Sequence, residues 1–290
     1  MNGVRLFVGG HAGTLQGERN NLGGDRCFTA VHPAPAHTDA NDLHYLLDSG
    51  AFSDPPERRL TPDAALDRQL VWESRSSDAW GRAVAAEAIV SYDLLIDEVW
   101  TDGIREKRRW SISEADSAVR ETVDAAAYLA SCRHGLYPRR LVLSCQGVDA
   151  VQYAECVDAV LHHAKPVDWV GYGGWCIIGR WQSWLPEFRR TLTLTIPRIA
   201  RAGVQHVHLF GVLWEPALAA MLWIADQHDI TVSTDSTAPL LAATRGNHRK
   251  SGARDSYWRN NVEWWRQHLA NLRQSRYYGA FSDARQAVLL

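Results

Sequence analysis

At 290 residues, 46% of them hydrophobic and with a formal net charge of -2, the chain suits a single α/β barrel of about 250 residues and carries no global excess of charge, so any nucleic-acid surface has to be a local patch. The five cysteines, Cys27, Cys132, Cys145, Cys156 and Cys176, include no CxC or CxxC pair, which argues for a reducing compartment and against a cysteine-rich structural zinc site. The start MNGVRLFVGGHAG lacks a basic region followed by an apolar core, and no apolar run reaches about 18 residues, so no secretion signal or membrane span is expected and the cytoplasm is the expected location.

Val4 to Val8 and Cys27 to Val31 read as the first two strands, ended by Gly9-Gly10 and by the Pro-rich HPAPAH. The polar, Gly-rich GTLQGERNNLGGDR between them reads as a loop over a barrel mouth. In LLDSGAFSD, His44 to Leu47 is a short strand with Asp48 at its exit, and Gly50 supplies the freedom that a sharp turn needs. An acid there is either a catalytic group, as at the strand ends of α/β barrels, or part of an Asp-Ser turn capping a surface loop. Thr61-Pro62-Asp63 then opens a helix that runs through Ala64 to Glu73. Ala88 to Tyr92 is the next strand and delivers a second acid, Asp93.

DEVWTDGIREKRRW follows, charged and aromatic; Arg105, Lys107, Arg108 and Arg109 read as a solvated face, with phosphate binding at a barrel mouth as the alternative. Ser111 and Glu114 form a capping box for a helix whose apolar positions Val119, Val123, Ala126 and Ala130 recur at helical spacing. Arg140 to Ser144 is a strand running into Cys145-Gln146-Gly147, and Asp149 to His162 its helix. Val167 to Tyr172 is a strand that ends in Gly173-Gly174, and a helix over Leu185 to Ala202 stops at Gly203. Val204 to Val212 is a strand with His206 and His208 on one face; without a nearby carboxylate this pair reads as packed or hydrogen-bonded rather than metal-binding. Helix Pro216 to Gln227 and strand Ile230 to Ser233 follow, the strand delivering a third acid, Asp235.

From Arg245 the chain becomes basic and aromatic. Arg245, Arg249, Lys250, Arg254 and Arg259 are interleaved with Tyr257, Trp258, Trp264 and Trp265, a combination that suits arginine on phosphate and rings on unstacked bases and equally a terminal helix packed on a barrel. The alternation of strand and helix from Val4 to Asp235, with seven clear strands and one weaker one, predicts a (β/α)8 barrel over residues 1–245, followed by a short basic, aromatic helical extension over 246–290. Because strand ends converge in a barrel, Asp48, Asp93, Gln146, Gly173-Gly174 and Asp235 are expected around one pocket, a set suited to holding a purine-like base beside a nucleophile.

Over about Tyr45 to Arg245 the chain resembles the tRNA-guanine transglycosylase superfamily. LLDSGAF is similar to its LDSGGF motif, IVSYD to VMAFD, LSCQGV to IVQGG, VGYGGWCIIGR to IGGLAVGE, and LFGV with STDSTAPLLAATR to MGVG and FDCVLPTR, all in the same order. The resemblance implies a barrel enzyme that exchanges guanine for a 7-deazaguanine base. Asp235 stands at the nucleophile, although the residues after it depart from the family's, and Asp48 at the general acid/base. Ser49, Asp93, Gln146, Gly173 and Gly174 stand at the base-binding positions, and Arg245, Arg249, Lys250, Arg254 and Arg259 are expected on nucleic acid. The family's CxCxxC zinc site has no counterpart, since no cysteine follows Cys176; no cofactor or metal is expected. That departure, the short length and the Arg/Trp tail resemble the deazapurine DNA-modification branch, which inserts 7-cyano-7-deazaguanine. DNA is therefore the expected partner, with tRNA, or a non-catalytic nucleic-acid-binding subunit, as alternatives. Helper proteins that open the duplex and a homodimer are further expectations.

Overall fold

The computed structural model describes residues 3–9, 24–33, 42–101, 104–176, 178, 182–239, 254–278 and 280. In chain order these form β1 (Arg5–Gly9), β2 (Gly24–Thr29), β3 (Leu43–Asp48), α1 (Pro62–Trp80), β4 (Ala88–Val90), β5 (Glu98–Thr101), β6 (Ile104–Lys107), α2 (Ile112–Ser131), α3 (Arg133–Leu136), β7 (Arg140–Cys145), α4 (Ala150–Leu161), β8 (Trp169–Tyr172), α5 (Leu185–Arg201), β9 (His206–Leu209), α6 (Glu215–Asp226), β10 (Thr231–Ser236) and α7 (Arg254–Ala270). Eight strands close into a parallel barrel in the order β1-β10-β9-β8-β7-β4-β3-β2, with β1 paired to both β10 and β2. With its surrounding helices this is a (β/α)8 barrel, as the alternation of elements predicts. None of the helices among the described residues is long and apolar enough to cross a membrane.

Strand pleating sends alternate side chains inward and outward. At the barrel floor Arg5 bonds Asp25 (Nε to Oδ2, 2.9 Å) and Glu87 (Nη1 to Oε1, 2.6 Å). Above it Phe7, Leu46, Ala88, Val90, Val142 and Trp169 form a buried interior cluster. The outward residues of the barrel strands, such as Leu143, Val170, Val207 and Val232, are buried in the main core. Around β3 the outward Tyr45 and Leu47 pack with Phe28 and Trp72 of β2 and α1.

Local signals explain most boundaries. The Ser111 capping box is formed, with Glu114 Oε2 accepting the Ser111 N–H at 2.7 Å, and Asp149 caps α4 by accepting from Val151 and Gln152 N–H. The strand expected over Ala88 to Tyr92 stops at Val90: Ser91 Oγ takes the Ser144 N–H at 2.8 Å while Ser144 Oγ donates to the Ser91 carbonyl at 3.1 Å, so side chains replace the ladder there. The DEVWTDGIREKRRW stretch contains the antiparallel hairpin β5–β6 rather than a plain loop. Gly24, Asp25 and Arg26, expected in a mouth loop, begin β2; the residues before them in that stretch lie outside the described residues.

The C-terminal extension packs on the barrel. Val4 N–H donates to Leu269 O at 3.0 Å, Val262, Leu269 and Leu272 are buried in the main core, and Asp226 of α6 accepts from Arg273 Nε (2.7 Å) and the Tyr278 hydroxyl (2.8 Å). Trp265 packs against this core, whereas Trp264 is half exposed and stacked on His268, so the described part of the tail includes a terminal helix packed on the barrel. Trp169 is the largest side chain of the interior cluster, fully buried and stacked on His206 at 3.7 Å. Trp169→Ala is expected to lower stability by about 3–5 kcal/mol in denaturant titrations; a loss below about 1 kcal/mol would show that this layer does not support the barrel.

Candidate active site

The C-terminal ends of the strands enclose a cavity of about 640 Å³ lined by Asp48, Asp93, Asp235, Gly173 and Gly174, together with Cys27, Phe52, Asp97, Lys107, Cys176 and Phe210. Its size is that of a small-molecule site, and its place is where α/β barrels keep their active sites. All three strand-end acids are therefore brought together.

Asp48 ends β3 and its Oδ2 accepts the Gly50 N–H at 3.2 Å. Gly50 is left-handed, with φ +83°, and a Cβ there would stand 2.3 Å from Val31 Cγ2, so the turn that aims Asp48 inward requires glycine. Asp93 lies in the loop after β4, three residues beyond the strand. Burial, and then the negative charge of Asp235, pushes the Asp48 carboxyl up to about 6. Burial followed by the charges of Asp48 and Asp97 pushes Asp93 up to about 7. Both carboxyls thus take up and release protons near neutrality.

Asp235 is held differently. Its Oδ1 accepts the Gly211 N–H at 2.9 Å and lies 3.2 Å from Nε2 of the fully buried His208. This corrects the sequence reading of the His206/His208 pair. His208 does have a nearby carboxylate, delivered by the neighbouring strand in the register His208↔Ser233. The two histidines are hydrogen-bonded, each to Ser233 Oγ, at 2.7 Å for His206 and 2.8 Å for His208.

Two base-binding candidates do not line the cavity. Ser49 is buried, its carbonyl accepting from Arg68 Nη2 at 2.5 Å. Gln146 is buried behind Gly173-Gly174, its Nε2 donating to the Leu94 carbonyl and to Thr122 Oγ1. Thr122 Oγ1 in turn donates to Ala118 O, which fixes the amide orientation and leaves Gln146 Oε1 buried with no hydrogen-bond partner among the described residues. Gln146 therefore braces the wall against α2. Of the nucleic-acid candidates, Arg245, Arg249 and Lys250 lie outside the described residues, and Arg254 and Arg259 stand on α7 with side chains outside the description.

The basic run before α2 divides by position. Arg108 is exposed and paired with Glu114, as a solvated face requires. Arg109 is buried, its guanidinium donating to the carbonyls of Gly147 (2.7 Å), Val148 (3.1 Å) and Gly174 (2.6 Å) over the Trp175 ring. It clamps the glycine turn of the cavity wall, and burial lowers it to about 10. Lys107 reaches the cavity, where its Nζ lies 3.0 Å from both Glu98 Oε2 and Cys176 Sγ, and the Cys176 thiol donates to Asp97 Oδ2 at 2.5 Å. The sequence reading passed over Asp97 and Phe52 and gave Cys176 no place in the cavity; it read His208 as packed or hydrogen-bonded without its carboxylate partner, although strand order and alternation place it beside Asp235.

Among the described residues no group of three or more His, Cys, Asp or Glu is arranged to hold a metal ion. No protein-family model matches the chain, and no curated protein matches it.

The raised carboxyls link stability to pH. A folded-state value above the ordinary carboxyl value means that the folded protein binds more protons, so stability falls as pH rises from about 4 to about 7. Asp93→Asn removes its share of this loss. The variant's advantage over the wild type is expected to grow by about 1–3 kcal/mol between pH 4 and pH 8 in denaturant titrations, a constant difference being the contrary result.

Proposed function

We propose that this chain is a base-exchange transglycosylase that replaces guanine in nucleic acid, preferentially DNA, by a 7-deazaguanine base such as 7-cyano-7-deazaguanine. The observation that carries the reading is the convergence of Asp48, Asp93 and Asp235 on one cavity beside the Gly173-Gly174 turn. The ordered likeness of five sequence segments to the tRNA-guanine transglycosylase superfamily supplies the reaction.

In this reading a target nucleoside is flipped out of its strand into the cavity. Asp235 attacks C1′; the bond from its carboxylate oxygen to C1′ forms as the bond from C1′ to guanine N9 breaks, and the electron pair leaves with the base. Asp48, with a carboxyl pushed up to about 6, gives the departing guanine its proton and takes one from the incoming base. The second base displaces Asp235, and two inversions at C1′ retain its configuration. Asp93, pushed up to about 7, presents a donor or an acceptor to the edge of the base. The glycine turn lets a flat ring approach the backbone: Gly174 has φ +75°, and a Cβ on Gly173 would lie 3.2 Å from Asp93 Oδ2.

The test is exchange of radiolabelled guanine into DNA and, separately, into total tRNA, in single- and double-stranded form. Label is expected in DNA, with Asp235→Asn reducing incorporation by at least about 10³-fold. Label in tRNA alone would reverse the choice of polymer, and no label in either would overturn the transglycosylase reading.

A further inference from the structure

We propose that His208 positions the nucleophile: it carries the proton shared with Asp235 Oδ1 and so leaves Oδ2 as the oxygen that attacks. The catalytic meaning of this inference rests on the transglycosylase reading, but the hydrogen-bond order beneath it does not.

A chain of side chains crosses the barrel interior from Asp235 toward the floor. His208 Nε2 lies 3.2 Å from Asp235 Oδ1, His208 Nδ1 2.8 Å from Ser233 Oγ, Ser233 Oγ 2.7 Å from His206 Nε2, and His206 Nδ1 2.8 Å from Thr231 Oγ1. Its far end sets its direction. Thr231 Oγ1 is 2.8 Å from the carbonyl oxygen of Gln205, which only accepts, so the threonine hydroxyl spends its single proton there. Thr231 Oγ1 must then accept from His206 Nδ1–H. Burial lowers His206 well below the ordinary imidazole value, so its ring is neutral and Nε2 is an acceptor. Ser233 O–H therefore donates to His206, and Ser233 Oγ accepts from His208 Nδ1–H.

With His208 Nδ1 protonated, Nε2 and Asp235 Oδ1 hold one proton between them. A bare lone pair on Nε2 would face the lone pairs of Oδ1 at 3.2 Å, and Oδ1 already accepts the Gly211 N–H at 2.9 Å, so the geometry places the proton on Nε2. The reverse chain, with His208 protonated on Nε2 alone, would turn the lone pair of His206 Nδ1 onto Thr231 Oγ1, whose proton is already committed to Gln205. Phe7 and Phe210 stand edge-on to the His208 ring, and Trp169 lies near it; these rings offer the proton no other site.

Among the described residues Asp235 Oδ2 accepts no hydrogen bond, whereas Oδ1 takes two. Oδ2 is then the better placed lone pair for C1′. In the covalent ester Oδ1 becomes the carbonyl oxygen and keeps both donors, and when the second base arrives the carboxylate departs into a site already built for its charge. The His208 proton does not transfer in either step; Asp48 alone handles the proton of the base.

Two measurements test this. Histidine ¹⁵N NMR of the whole protein at neutral pH is expected to show His208 with both ring nitrogens protonated and His206 as the neutral Nδ1–H form. A His208 ring protonated on Nε2 alone would overturn the chain, whether or not the protein exchanges bases. In the guanine exchange assay, His208→Leu is expected to lower kcat by about 10²-fold with KM for the base within about twofold. His208→Gln, which restores a donor to Asp235, should recover part of that loss, and Ser233→Ala, which cuts the chain one residue away, should lie between. Unimpaired exchange by His208→Leu would sink the inference and leave the transglycosylase reading standing. Absence of exchange in the wild type would sink that reading instead, with the NMR result still deciding the chain.

Discussion

Closing eight parallel strands into a cylinder is the constraint from which the rest follows. Once β1 pairs with both β2 and β10, every second side chain of each strand must fit inside the cylinder, and the interior becomes a stack of layers. The floor is ionic, with Arg5 between Asp25 and Glu87, and the middle is aromatic and aliphatic around Phe7 and Trp169. What remains at the top is a cavity in which Asp48 and Asp235 stand at strand ends and Asp93 on the following loop. Their nearness is a product of barrel closure, since Asp48 and Asp235 stand 187 positions apart in the chain.

Placing acids together in a half-buried space has an electrostatic cost that the fold answers unevenly. Asp235 is compensated by Gly211 N–H and His208. Asp48 is met by the backbone N–H groups of Gly50 and Ser49, and Asp48 and Asp93 share the repulsion as raised carboxyls. The three acids are thereby held in two ways: Asp48 and Asp93 as carboxyls raised toward neutrality, Asp235 by two hydrogen-bond donors on one oxygen. Arg109 and Gln146 stabilise the wall between them from behind, one binding the carbonyls of Gly147, Val148 and Gly174, the other tied to α2 through Thr122.

The fold was legible in the sequence because hydrophobic alternation, capping residues and helix-stop glycines are local signals. The eight barrel strands, the Ser111 capping box and the helices after β7, β8 and β9 lie close to where the pattern puts them. Strand ends were less legible where side chains take over the ladder, as with Ser91 and Ser144, and the β5–β6 hairpin was hidden in a run that reads as charged loop. At the site, position along a strand was enough to find the three acids and the two glycines. It could not separate cavity from wall: Ser49 and Gln146 sit next to lining residues, but the Ser49 hydroxyl accepts the Ala51 N–H and the Gln146 amide turns to Thr122 of α2, and that distinction depends on packing, which no local pattern carries. The role of His208 was hidden for the complementary reason, its partners Ser233 and Asp235 lying on the next strand.

The polar column through the barrel has a physical rationale of its own. Two imidazoles and two hydroxyls beside an apolar layer are tolerated only when each is fully bonded, and the chain from Gln205 to Asp235 meets that condition at every link. An apolar layer in the same place would pack as well yet could not report a direction to its upper end. The backbone carbonyl at the bottom fixes a hydroxyl, the hydroxyl fixes one ring, that ring fixes the next, and the last ring presents one particular hydrogen to one particular carboxylate oxygen. The side chain of Asp235 is thus oriented by the strand pairing of β9 with β10, which sets the spacing of all these groups. The same ladder that holds the barrel closed therefore distinguishes the two oxygens of the candidate nucleophile.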